Sequence, residues 1–239
     1  MIKTVLFFLI SILTLSFSAN ASGMYFIQNR GQWEADVLFR TEVPGGFLFL
    51  KDHSLVYVFY DASKISAQHG RSTVASSLAR LPDVNTVQAH GVEVQFQGAA
   101  AGIKHVAKSA VNTRFNYFLG DDKNTWASDV EGFEEVLYEN IYPGIDMRIY
   151  MHQFTLKYEF IVHPKADASQ ISLKYEGASD LTLNEKGQAV INTPIGNFKE
   201  AEPYSFQEIN RKAVEIQSKF TLTGGNILRF SLPKGYGRY

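Results

Sequence analysis

Two carboxylates, Asp146 and Glu159, fall on one strand parity of the stretch Tyr142 to His163, read YPGIDMRIYMHQFTLKYEFIVH. If the chain turns back tightly at His152-Gln153, they approach each other across a hairpin. Carboxyl groups roughly 5–9.5 Å apart in a cleft can divide acid and base roles in glycoside hydrolysis. Arg148 and Lys157 share the same outward parity, so cross-strand ion pairs account for all four charges without catalysis. The expectation is an ion-paired sheet face. A glycoside hydrolase using Asp146 and Glu159 stands as the disfavoured alternative.

Other chemistry finds less support. The chain has no cysteine, which excludes thiol catalysis, iron–sulfur clusters and cysteine zinc sites. His152 and His163 lie at opposite ends of one strand, at about 3.3 Å per residue. One metal ion, with ligands about 2.0–2.2 Å away, cannot touch both. His53, His69, His90 and His105 have no ligand spacing. Asp121-Asp122-Lys123-Asn124 faintly resembles a calcium loop but lacks its glycine and terminal glutamate, and it reads as a polar turn. No serine sits in a G-x-S-x-G elbow, and Gly45-Gly46 and Gly224-Gly225 are turn glycines without phosphate-loop spacing. No catalytic residue, metal or cofactor is assigned. Aromatic residues make up 13% of the chain, and exposed rings can stack on sugars. Trp33, Trp126, Tyr142 and Tyr150 are the candidate ligand contacts, although strands select aromatic residues for their cores as well.

The elements that position these residues are strands. Ile145, Met147, Ile149 and Met151 alternate with Asp146, Arg148, Tyr150 and His152. Phe154 to Val162 then repeats the pattern, bounded by Pro143-Gly144 and Pro164. That is a hairpin with one buried face and one wet face. Shorter strands are expected around Val37 to Phe39, Phe47 to Leu50, Leu55 to Tyr60, Gly91 to Gly98, Thr113 to Leu119 and Phe133 to Tyr138. After Pro164 a meander follows, with turns at Gly177, Gly187, Asn210-Arg211 and Gly224-Gly225-Asn226. Short strands separated by glycine and asparagine turns predict an all-β, antiparallel, sandwich-like fold of two packed sheet lobes. Residues 62–89, rich in serine, alanine and glutamine, read as a long surface loop.

The first 21 residues read as a cleaved signal peptide: Lys3, the apolar run Val5 to Phe17, and Ala19-Asn20-Ala21 before the cut. The run is too short to span a bilayer, which takes roughly 20 apolar residues. Ser22 stands where a lipoprotein would carry cysteine. The module is therefore expected to comprise residues 22–239 and to be exported to the periplasm, cell surface or medium. With 23 basic and 24 acidic side chains and no basic cluster, no nucleic-acid partner is expected.

The stretches FIQNRGQW (26–33), EVPGGFLFL (42–50), NYFLGDDKNTWASDV (116–130), YENIYPGIDMRIY (138–150), LKYEFIVHPKADASQISLKYEGA (156–178) and TPIGNFKEAEPYSFQEIN (193–210) together carry a resemblance. The chain resembles the N-terminal domain of large secreted Bacteroidetes-type surface proteins, found ahead of SBBP-type β-propeller repeats and gliding-motility or type IX secretion tails. The family brings no catalytic residues. The resemblance implies a non-enzymatic structural or interaction module whose partner is a propeller, another extracellular domain or a surface glycan. A carbohydrate-binding module is the runner-up.

Overall fold

Alternating side chains, β-branched and aromatic residues, and closely spaced turn glycines leave little for this chain to form except strands. The computed structural model describes the backbone of residues 6–11 and, in full, residues 24–61, 88–152, 155–209 and 211–237. Near the amino terminus lies β1 (Leu6–Ser11), followed by β2 (Phe26–Gln28), β3 (Val37–Val43), β4 (Gly46–Lys51), β5 (Ser54–Tyr60) and β6 (Ala89–Phe96). β7 (Lys104–Tyr117) and β8 (Ala127–Tyr142) make a long hairpin closed by a 3-10 turn, Lys123–Thr125. β9 (Ile145–His152) and β10 (Thr155–Val162) make the next. Beyond them come β11 (Ser172–Glu176), β12 (Asp180–Leu183), β13 (Ala189–Thr193), β14 (Gly196–Glu200), β15 (Tyr204–Ile209), β16 (Lys212–Ile216), β17 (Lys219–Thr223) and β18 (Ile227–Ser231).

The strands form one large antiparallel sheet, ordered β16-β15-β1-β10-β9-β8-β2-β3-β4-β5-β6-β11-β18-β17, and a small sheet β12-β13-β14. β8 is the branch point. One of its edges pairs with β7; the other pairs with β2 near Phe133 and with β9 from Glu135 onward. Two limbs therefore leave β8 and fold face to face. Phe160 of β10 meets Phe230 of β18, with ring centres 5.8 Å apart, and Phe96 of β6 meets Tyr138 of β8 at 5.9 Å. The small sheet packs through Phe198 on Tyr57 and Phe59, at 5.5 and 5.1 Å. Tyr57, Tyr138, Tyr142, Tyr175, Phe26 and Phe160 are the largest fully buried side chains. The all-β, sandwich-like expectation holds. Among the described residues no helix is long and apolar enough to cross a membrane.

Two departures from the sequence reading have physical reasons. β7 begins at Lys104 rather than Thr113. It pairs only with β8, is largely exposed, and its register shifts between Ala110 and Arg114, so it shows no clean alternation. β14 passes unread because only Phe198 in its sequence GNFKE looks like a core residue. The apolar run read as a leader supplies β1, seated between β10 and β15. The long-loop reading concerns residues of which 62–87 lie outside the description, and β6 takes up the chain at Ala89.

Candidate functional site

The β9–β10 register places Arg148 opposite Glu159, Tyr150 opposite Lys157 and Asp146 opposite Ile161. The expected charged face exists, with a different pairing. The guanidinium of Arg148 lies 2.7 Å from Glu159 and 3.8 Å from Glu135, which also meets Lys108 at 3.4 Å. The Arg148 Nε–Glu159 Oε1 contact is an ion pair without hydrogen-bond alignment. Glu159 is only 3% exposed, so this part of the face is not wet. Burial raises its pKa, Arg148 pulls it back, and Glu135 pushes it up again.

Asp146 is occupied by local structure. The register of β8 against β9 shifts between Tyr138 and Tyr142, and Asn140 within that bulge has φ 54°. A bulge leaves a backbone amide without its ladder partner. Asp146 Oδ1 accepts that Asn140 N–H at 2.7 Å, while Oδ2 contacts His163 Nε2 at 2.7 Å. Each of the two carboxylates flagged for hydrolysis is thus held by its own neighbours: one buttresses a bulge and the other balances an arginine.

The four candidate aromatic contacts do not converge. Tyr142 is in the core, where its hydroxyl donates to Ser172 O at 3.1 Å and burial raises its pKa to about 12. It offers no face to a ligand. Tyr150 lies beneath the Arg148 guanidinium at 4.4 Å. Trp33 packs edge-on against Tyr117 at 5.3 Å, with Arg40 over its ring at 5.0 Å. Arg40 also lies 4.0 Å over Phe47, so burial of this cation is offset by two aromatic faces. Trp126 alone stands out, 38% exposed at the β7–β8 tip beside Phe118 (57%) and Leu119 (65%). Its ring meets Phe118 edge-on at 5.6 Å, and Lys123 Nζ lies 5.8 Å over it. The polar turn that carries this tip is closed by Asp122, whose carboxylate accepts the Asn124 N–H at 2.9 Å.

The residue that sequence reasoning missed is Glu200. Its side chain is buried in the core, where the hydroxyls of Tyr158 (2.7 Å) and Tyr175 donate to its carboxyl. Burial raises its pKa from the ordinary 4.5 to about 7, against the pull of the two hydroxyls. Tyr57 is also coupled to it electrostatically. Only 1% exposed and held by two hydroxyls, this carboxyl suits a structural fastener. The parity of Glu200 with Phe198 on a short strand was the available signal.

Among the described residues, no group of three histidines or acids is placed to hold a metal ion; His69 lies outside them. His53 and His90 contact the carbonyls of Ala100 and Gly177 at 3.0 and 2.7 Å. No curated protein and no solved structure matches the chain. The profile of one family, described as a domain of unknown function, DUF7948, covers residues 26–238, and the chain belongs to that family.

Proposed function

We propose that this chain is a non-enzymatic structural and interaction module, exported and displayed at a bacterial surface. The observation that carries the reading is the β7–β8 hairpin, which holds Phe118, Leu119 and Trp126 out in solvent at its tip. Exposed apolar groups gathered at one point are a contact surface before they are anything else. The leader-like first 21 residues support export, and the local engagement of Asp146 and Glu159 supports a role without turnover. The partner is a neighbouring extracellular domain, such as a β-propeller. A surface glycan is the second reading, favoured by the exposed Trp126 ring with a cation at its face.

The test expresses the chain with its leader in a Gram-negative host and fractionates the cells. It then compares the wild type with a Phe118→Ser, Leu119→Ser, Trp126→Ser variant for retention on cells and on insoluble polysaccharides. Retention lost in the variant supports the reading, and polysaccharide binding alone selects the glycan. A chain confined to the cytosol would overturn export. Hydrolysis of chromogenic glycosides that disappears in Glu159→Gln would overturn the non-enzymatic role.

A further inference from the structure

β1 occupies an unusual place. It runs antiparallel to both neighbours, with Leu6 opposite Val162 of β10 and Gln207 of β15, and Phe7 opposite Ile161 and Phe206. β10 and β15 bond to β1 and not to each other. Strands in a sheet lie about 4.8 Å apart, so without β1 two facing edges would stand roughly 10 Å apart, too far to pair. Each would expose a row of backbone N–H and C=O groups. The walls of this space are core strands. Tyr158, Phe160 and Val162 of β10 are buried, as are Ser205 and Gln207 of β15 on the matching parity. The occupant, LFFLIS, is apolar at every position except Ser11.

The same six residues lie inside the stretch read as a cleaved leader. We propose that removal of the leader turns the space between β10 and β15 into a strand-acceptor site, and that an extended apolar segment of a partner polypeptide enters it antiparallel to both walls. This deepens the interaction reading above and rests on its export step. The ladder hydrogen bonds on both sides supply affinity regardless of sequence, and the alternate positions supply selection. Positions opposite Tyr158, Phe160 and Val162 require apolar side chains, because a charge there would be buried without a partner. Proline is excluded from the interior of the segment, since it cannot donate to either wall.

The experiment begins with the full chain, folded intact, carrying a site-specific protease sequence at Ala21. After cleavage in place, a fluorescent lysine-flanked peptide bearing the Leu6–Ser11 sequence is added, in parallel with the same peptide carrying Phe8→Pro. Anisotropy reads entry, and hydrogen exchange reads protection of β10 and β15 amides. Saturable entry of the first peptide is expected, with the proline peptide weaker by at least about tenfold, because one interior proline removes a ladder bond and clashes. Equal binding of both peptides would overturn the proposal. So would unchanged β10 and β15 protection after the leader has left, since the walls would then have closed on each other. Dimers of the cleaved chain that protect the same amides would reassign the occupant to a second copy. Exported protein that still carries residues 1–21 would refute the export step, while peptide entry in vitro would still stand as the test of the site.

Discussion

Replacing Glu200 by glutamine should change how stability depends on pH, in a direction opposite to that of most carboxylates. Burial raises the pKa of Glu200 to about 7 from an ordinary 4.5. Below the lower value both folded and unfolded chains hold the proton, and the group is neutral in its effect. Between the two values the native state keeps a proton that the unfolded chain has released, so stability falls as pH rises. Above the upper value both states are ionised and the full cost persists. At about 1.4 kcal/mol for each pH unit between the two pKa values, that cost is about 3 kcal/mol. Glu200→Gln removes the titration and leaves an amide that can still accept from Tyr158 or Tyr175. Its fixed penalty, about 1 kcal/mol for an imperfect hydrogen bond, does not vary with pH. The assay is urea unfolding of both proteins by circular dichroism at intervals from pH 4 to 8. The variant should gain on the wild type by up to about 3 kcal/mol across this range, most steeply between the two pKa values. The difference isolates Glu200, because every other ionisable group is common to both proteins. Parallel curves would refute the argument and place the native carboxyl in the ordinary range.

Three further outcomes follow from the packing. Arg148→Met leaves Glu159 buried without its counter-ion and should cost about 3 kcal/mol at pH 7.5, less at pH 5; adding Glu159→Gln should restore most of it, and a fully stable single variant in urea would sink the claim. Gly177 has φ +84°, and a Cβ there would lie 2.3 Å from Gly91 O. Gly177→Ala should therefore cost about 2 kcal/mol or more and speed amide exchange in β6 and β11; a change within about 0.5 kcal/mol would mean that the turn can relax. Tyr142→Phe removes a buried hydroxyl that serves Ser172 and should lower the urea midpoint by the equivalent of about 1–2 kcal/mol, with an unchanged midpoint counting against it.

Much of the fold was legible because β9 alternates cleanly, while β4, β5 and β10 are short runs rich in apolar residues that end at recognisable turns. Alternation fails where a strand changes partner. β8 reads as a strand only over Phe133 to Tyr138, but it extends from Ala127 to Tyr142, with Asp129 and Asn140 both at positive φ. Such kinks flip the parity, so the periodicity on either side no longer adds up. The charged face was legible as a set of residues and illegible as a set of pairs. Whether Asp146 meets Glu159 or His163 depends on a register that composition does not contain, and the frame set by the turn decides it.

Glu200 shows a different limit. A glutamate near a strand end reads as solvated, because burying a charge is costly unless it is paired or neutralised. Here the compensation comes from residues far away in sequence. Tyr158 belongs to the limb that contains β10, Tyr175 to the limb that contains β11, and Glu200 to the small sheet. Phe198, two residues earlier on the same face of β14, presses on Tyr57 and Phe59. One short strand thus brings an apolar anchor and a hydrogen-bonding carboxyl to the seam where the two limbs meet. The apolar contact would tolerate sliding of the small sheet, since burial is non-directional. The carboxyl would not, because both hydroxyls must reach it within hydrogen-bond distance. On this reasoning Glu200 costs stability and in return fixes how three pieces of sheet are registered against one another.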